Sequence, residues 1–179
     1  MQRAIKYILF TFTAVLLSSC GDRMSLQRYY VDNQESKNFI FQDVPLSMIK
    51  LDKTNFTEDQ KDAYNSVNKL NFLGYKANEA DVDIYKTELA KVKTILKDNK
   101  YKDLIEFSDK GNKVVVKYIG DNDEADEVVI FGNAKALGFG IVRVLGDDMS
   151  PDKIAVLINA MQNANFDESQ IENIMNFFK

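Results

Sequence analysis

Apolar side chains recur every three or four residues along five stretches of the chain, and this spacing predicts helices. The longest predicted helix extends from about residue 78 to residue 98. Its apolar stripe consists of Val82, Tyr85, Leu89, Val92 and Leu96. Shorter helices are predicted at about residues 25–35, 57–69, 151–161 and 167–178. Thr57 followed by Gln60 is typical of a capping box at the start of the second of these.

A different pattern, short runs rich in β-branched and aromatic residues, occupies residues 104–146. The strongest run covers residues 114–119, and its neighbours lie at residues 104–108, 127–131 and 138–145. The connections between these runs are too short for parallel crossovers, so the pattern predicts an antiparallel meander. Two earlier strands are predicted at residues 39–44 and 70–77.

Together these elements predict a single α+β domain over residues 26–179. We expect a mainly antiparallel sheet, with a meander in its C-terminal half and the helices packed on one face. The chain has 179 residues, of which 28% are charged and 45% hydrophobic. Those fractions are ordinary for one soluble globular domain, and the length suits one domain.

The first 19 residues differ from this body and have the features of a signal peptide. Arg3 and Lys6 give it a basic start, and the apolar stretch of residues 7–17 is far shorter than the ~20 residues that span a bilayer. The segment that follows resembles the bacterial lipobox, in which small residues precede an obligatory cysteine. Its residues are Leu17, Ser18, Ser19 and Cys20.

The resemblance to a lipobox implies that residues 1–19 are a lipoprotein signal peptide. It also implies that Cys20 carries fatty acyl chains such as palmitate and becomes the first residue of the mature protein. Residues 20–25 then form the acylated cysteine and a short tether, and the chains give stable anchoring to a membrane. The alternatives are an ordinary signal peptide with an unrelated cysteine, or an uncleaved anchor.

The rare residue types exclude several kinds of site. Histidine and tryptophan are absent, and Cys20 is the only cysteine. A Ser-His-Asp triad, a Cys-His dyad, a histidine-ligated metal, a redox pair of cysteines and a zinc finger are therefore excluded. The 27 carboxylates are too many for the sequence to single out a catalytic pair. We therefore expect no cofactor and favour a role that is not enzymatic.

The net charge limits the kinds of partner that we expect, and the residues after Cys20 indicate the location. Removal of residues 1–19 takes away two basic side chains, which leaves 21 basic and 27 acidic residues and a formal charge of −6. An acidic body argues against a nucleic-acid partner. Surface-exported lipoproteins carry a run of acidic residues just after the cysteine. Here that segment has a single acidic residue, Asp22, and basic Arg23 follows it. We therefore expect a lipid-anchored protein of the cell envelope, in the outer membrane and facing the periplasm.

One acidic loop is a weak candidate for calcium, with Asp121, Asp123 and Asp126 as ligands. An EF-hand loop needs an oxygen ligand at position 5, glycine at position 6 and glutamate at position 12. Counted from Asp121, these positions hold Ala125, Asp126 and Gly132. Because all three fail, we interpret the loop as a solvated hairpin turn.

Two further features concern packing. Gly132, Gly138 and Gly140 interrupt predicted strands without the spacing of a nucleotide-binding loop, so we expect a bulge or a close approach of backbones. Phe177 and Phe178 are adjacent on a predicted helix and point about 100° apart, so both bury only where two surfaces meet. One of the two rings would otherwise face a partner.

Several segments together resemble small Bacteroidetes lipoproteins classed as a domain of unknown function (the 4252 family). These segments are the lipobox, Leu26 with Tyr29 and Tyr30, residues 39–49, the long helix, the meander, and residues 145–153. The resemblance covers about residues 26–161 and implies an envelope lipoprotein, with no catalytic residues to carry over.

Three functional hypotheses follow. The first is a non-enzymatic interaction module that presents a sheet face or a helix groove to a protein or small ligand. The second is a carboxylate-based envelope hydrolase, which a buried cleft holding two carboxylates would favour. The third is a regulatory partner of a membrane signalling protein, which differs from the first only in the identity of the partner.

Overall fold

The computed structural model describes residues 24–46, 53–109, 112–134, 137–161 and 172–178, and its centre is an antiparallel sheet of six strands. The strands are β1 (Phe39–Pro45), β2 (Val67–Lys76), β3 (Lys102–Asp109), β4 (Asn112–Gly120), β5 (Ala125–Ala134) and β6 (Gly138–Gly146). The α-helices are α1 (Leu26–Asn33), α2 (Glu58–Ser66), α3 (Val82–Ile95), α4 (Pro151–Met161) and α5 (Glu172–Phe178). A short 3₁₀ turn, Glu79–Asp81, precedes α3.

Local signals fix the helix starts. The Thr57 hydroxyl accepts a hydrogen bond from the Gln60 N–H at 3.3 Å, and the Gln60 side chain accepts one from the Thr57 N–H at 2.8 Å. The predicted capping box is therefore confirmed. The helix that it begins ends at Ser66 rather than near residue 69, because Val67 already pairs with Gly146 of β6. Pairing in the sheet overrides the helical spacing there.

The strand order is β1-β2-β6-β5-β4-β3, and every neighbouring pair is antiparallel. The predicted α+β class and the predicted meander of the last four strands are confirmed. β1 and β2 extend the sheet on the other side of β6, which places β6 in its interior.

Helices cover both faces of the sheet, so the prediction that they pack on one face is wrong. We call the side that carries Leu73, Tyr75, Val129, Phe131, Phe139 and Ile141 the tyrosine face; α1 and α3 cover it. The opposite side, which carries Val116, Val128, Val144 and the strand glycines, is the glycine face; α2, α4 and α5 lie on it. The physical reason is visible in β5, where adjacent Val128 and Val129 are both buried. Unbroken apolar runs in the central strands need cover on each side.

The core of the tyrosine face is built from aromatic rings. Tyr75 and Phe139 stack with their ring centroids 5.3 Å apart and an interplanar angle of 9°. Phe39 meets Tyr75 edge to face at 5.0 Å. Tyr29 of α1 contributes a further ring against Phe39, at 6.0 Å. These contacts make α1 part of the domain core.

Candidate functional site

Three glycines lie side by side across the glycine face. The strand register pairs Gly74 of β2 with Gly140 of β6, and Gly140 in turn with Gly132 of β5. Because all three lack a Cβ, the floor of the sheet is lowered along this line. We call the depression over Gly74, Gly140 and Gly132 the glycine trough.

Phenyl rings occupy one end of the glycine trough. A Cβ at Gly74 would lie 2.9 Å from ring carbons of both Phe72 and Phe178, and a Cβ at Gly140 would lie 3.1 Å from the Phe72 ring. The two rings meet edge to face, with centroids 6.5 Å apart. Glycine is therefore required at Gly74 because the rings fill the place of a side chain.

The other end of the glycine trough is open. The nearest heavy atom to a Cβ at Gly132 would be a methyl carbon of Val114, at an ordinary contact distance of 3.8 Å. A cleft of about 330 Å³ lies there, with Ala134, Leu137 and Ile174 among its walls. Leu137 is 50% exposed and stands at the rim. Such a cleft has the chemistry to hold an apolar group and lies at the small end of ligand sites.

The tyrosine face carries a row of polar residues, which crosses the sheet three register positions away from the glycine trough. The strand register aligns six residues in one line across the sheet. Five strands contribute a polar residue each, and β5 contributes Val129. In sheet order the polar members are Asp43, Asn71, Arg143, Lys117 and Asp103.

Arg143 lies near the centre of this polar row and is bound by Glu127. Its guanidinium donates two hydrogen bonds to the Glu127 carboxylate, at 2.8 and 2.7 Å, and both side chains are largely buried. These bonds raise the pKa of Arg143 above its ordinary value. The Tyr30 ring lies against the guanidinium, and its hydroxyl donates to the carbonyls of Ile141 at 2.8 Å and Asn71 at 3.1 Å. Burial raises the pKa of Tyr30.

The ends of the polar row are also paired. The Asn71 amide donates to the Asp43 carboxylate at one end, and Lys117 Nζ lies 2.6 Å from the Asp103 carboxylate at the other. Each charged member of the polar row therefore has a side-chain partner, either within the row or, for Arg143, in Glu127. This arrangement is typical of a structural network.

The acidic loop between β4 and β5 forms a hydrogen-bonded turn. The Asp121 carboxylate accepts hydrogen bonds from the N–H groups of Asp123 and Glu124, each at 2.9 Å. These two bonds lower the pKa of Asp121. Asp123 and Asp126 are exposed, and in the ranges that the structure describes no three acidic side chains gather around one point that could hold a metal.

The predicted lipidation site lies outside the described residues, as do residues 1–19 and the first four residues of the predicted segment 20–25. The same is true of residues 167–171, the start of the last predicted helix. The described part of the chain begins at Met24. The Ser25 hydroxyl caps α1 by accepting a hydrogen bond from the Arg28 N–H at 3.2 Å. Within the described ranges, no helix is both long enough and apolar enough to cross a membrane.

A second, wider groove lies where the described chain begins. Met24 borders it, together with Ala90, Lys91 and Ile95 of α3, and its volume is about 670 Å³. The exposed side chains of Thr87 and Thr94 on α3 form part of its wall, as does half-buried Asp98, which follows the helix. The groove is therefore open and mixed in polarity, unlike the glycine trough.

The glycine trough could not be predicted from the sequence, because a single sequence does not show which residues of different strands pair. The prediction of a close backbone approach is confirmed at Gly138, where φ is +126° and a Cβ would lie 1.9 Å from the Tyr75 carbonyl oxygen. Gly132 and Gly140 instead floor the trough. The available signal was an aromatic residue directly before each of these two glycines, Phe131 and Phe139.

The adjacent rings of Phe177 and Phe178 on α5 contact each other, and that of Phe178 also contacts the sheet. Phe178 is half-buried on β2, and Phe177 is half-buried with its ring 5.1 Å from that of Phe178. Phe178 therefore supplies the contact with the sheet, and Phe177 lies behind it.

Comparison with known proteins yields one family. A family model described as Domain of unknown function (DUF4252) matches residues 29–157. No curated protein and no solved structure matches. The matched range includes the three glycines of the trough and ends before α5, which supplies Phe178.

Proposed function

This chain belongs to the family described as Domain of unknown function (DUF4252), as its resemblance predicted, and we propose that it is a lipid-anchored lipoprotein of the bacterial envelope that acts as a non-enzymatic binding module. Like the Bacteroidetes lipoproteins that it resembles, it would be held by acyl chains on Cys20, in the outer membrane and facing the periplasm. The observation that carries the binding role is the open apolar end of the glycine trough beside Gly132.

The walls of this cleft support binding rather than hydrolysis. Of the described residues around it, only Asn112 and Asn133 have polar side chains, and neither side chain is a nucleophile or a proton-transfer group. The Asn133 amide oxygen already accepts a hydrogen bond from the Tyr85 hydroxyl, at 2.6 Å. A cleft of this kind holds a ligand by apolar contact.

The position of α1 supports an orientation of the anchored protein. α1 packs on the tyrosine face, whereas the glycine trough lies on the opposite side of the sheet. Cys20 precedes Met24 by four residues, so the tether spans at most about 14 Å. An anchor at Cys20 would therefore hold the helices of the tyrosine face near the membrane and turn the trough toward partners in the aqueous phase.

The anchor is tested by labelling cells with an alkyne analogue of palmitate and comparing the wild type with Cys20→Ala. We expect label on the wild-type protein, a mature chain that begins at residue 20 by mass spectrometry, and neither in the variant. Equal labelling of the two proteins would refute acylation at Cys20.

The binding role is tested with a photo-cross-linking amino acid placed at Leu137, at the rim of the trough. The matched control places it at Val31, which is 60% exposed on α1, on the other side of the sheet. We expect one discrete cross-linked species in cells at position 137 and none at position 31. Its identity separates a membrane signalling protein from another envelope partner, and identical patterns at both positions would refute the role of the trough.

A further inference from the structure

We propose that the glycine trough binds an aromatic side chain of a peptide or helix, and that Phe178 of the chain's own C-terminal helix is the internal occupant that this ligand displaces. The inference rests on the proposed binding role and specifies its ligand.

The seat of Phe178 is shaped for a ring. The Cζ atom at the tip of the ring lies 2.9 Å from the place where a Cβ of Gly74 would be, so the ring reaches the backbone of the sheet. Phe72, two residues earlier on the same face, forms the side of the seat and meets the ring edge to face. A floor of backbone with one aromatic wall is a favourable site for a second aromatic ring.

The helix that carries Phe178 is short, and the apolar side chains that it places on the cleft are only half-buried. α5 has seven residues, which is too short for a helix to be stable alone in water. Ile174 and Phe178, four residues apart, are its described side chains that line the cleft, and both are only half-buried. Phe139, on the other face of the sheet, is by contrast 1% exposed. The shortness of α5 and the incomplete burial of Ile174 and Phe178 are the features expected of a displaceable segment.

The open end of the trough specifies the ligand further. The space beside Gly132 continues from the Phe178 seat and is walled by Val114, Ala134 and Leu137. A ligand that fills both parts must present an aromatic side chain and a neighbouring apolar group. Ile174 and Phe178 show that one helical turn meets this requirement, so the partner is an amphipathic segment that bears a phenylalanine.

The test uses the full mature chain with Cys20→Ser and a fluorescent peptide with the sequence of residues 170–179 as the probe. Fluorescence anisotropy measures binding of the probe to this protein and to its Phe178→Ala and Phe177→Ala variants. We expect Phe178→Ala to bind at least about tenfold more tightly, because its seat is empty, and Phe177→Ala to match the parent. A probe peptide with alanine in place of Phe178 should not bind.

A second variant keeps the test independent of the stability of Phe178→Ala. Gly132→Leu places a side chain in the cleft, where a Cβ meets Val114 at an ordinary contact distance of 3.8 Å, so the protein should fold as before and bind the probe more weakly than the parent. Equal binding of the two peptides, or no effect of Gly132→Leu, would overturn the inference. A parent protein that is dimeric by light scattering, and becomes monomeric on Phe178→Ala, would assign the seat to α5 of a second copy and also overturn it.

Failure of this inference and failure of the proposed function give different results. Cross-linking at Leu137 in cells without peptide binding in solution would leave a binding module that takes another ligand. Peptide binding in solution without cross-linking in cells would support the ring-binding site and refute an envelope partner at the trough.

Discussion

The two faces of the sheet are built from alternate residues of the same strands, yet they differ in how completely they are filled. On the tyrosine face, rings such as Tyr75 and Phe139 stack, and Arg143 is bound by Glu127. On the glycine face, Gly132 borders open space, although its neighbour Phe131 is buried in the opposite core. Both faces carry a buried core, which on the glycine face includes Val116, Val128 and Met149, but the core of the glycine face leaves a cleft beside Gly132.

The largest expected effect is a loss of folding stability at alkaline pH, which arises from the buried tyrosines of the tyrosine face. Burial raises the pKa values of Tyr29 and Tyr30, and raises that of Tyr101 to about 12. Above about pH 10 these tyrosines ionise in the unfolded chain but stay protonated in the fold. The folded state then holds more protons, so stability falls as pH rises, by about 1.4 kcal/mol per pH unit for each such tyrosine.

Urea unfolding between pH 8 and pH 12, followed together with tyrosinate absorbance, measures this effect. We expect the unfolding midpoint to fall above pH 10 and the absorbance of the buried tyrosines to rise only with unfolding. Full ionisation near pH 10 with an unchanged midpoint would contradict the enclosed packing of this face.

The second prediction compares a phenylalanine on each face. Phe139→Ala removes a fully buried ring from the aromatic stack, and we expect the free energy of unfolding to fall by about 3–5 kcal/mol. Phe72→Ala removes a half-buried ring beside the trough, and we expect a loss of about 1–2 kcal/mol. Chemical denaturation of both variants measures the difference. Equal losses would show that the two faces are packed alike.

The third prediction breaks the buried ion pair of the tyrosine face. Glu127→Ala leaves the Arg143 guanidinium largely buried without its carboxylate, and we expect a loss of about 3 kcal/mol. The control is Glu106→Ala, which removes the exposed partner of Lys113 and should cost about 0–1 kcal/mol. Both are measured by denaturation at pH 7, and similar losses would place Arg143 in contact with water.

The smallest expected effect is a gain on the glycine face. Gly132→Ala adds a methyl group where the nearest atom is 3.8 Å away, and it restricts the unfolded chain. We expect the free energy of unfolding to rise by about 0.5 kcal/mol. A decrease in the denaturation midpoint would show that the floor of the trough is already filled.

Sequence analysis predicted the parts of the fold that depend on local pattern. The capping box at Thr57 and Gln60, and the meander of residues 104–146, are such features. The two-sided cover of the sheet was missed although Val128 and Val129 both carry the signal, because an unbroken apolar run was assigned to a sheet with one buried face. The glycine trough depends on the register that aligns Gly74 with Gly140, and long-range pairing of this kind leaves no mark in one sequence.

The interior position of β6 has a consequence for the order in which the sheet assembles. Leu70 of β2 pairs with Val144 of β6, so the first two strands dock on the strand that comes last among those described. Until this pair forms, β2 keeps an unpaired edge, while the hairpins of β3 to β6 close locally. Because such an edge recruits other chains, closure of the β2–β6 pair is the step that protects the folding chain from aggregation.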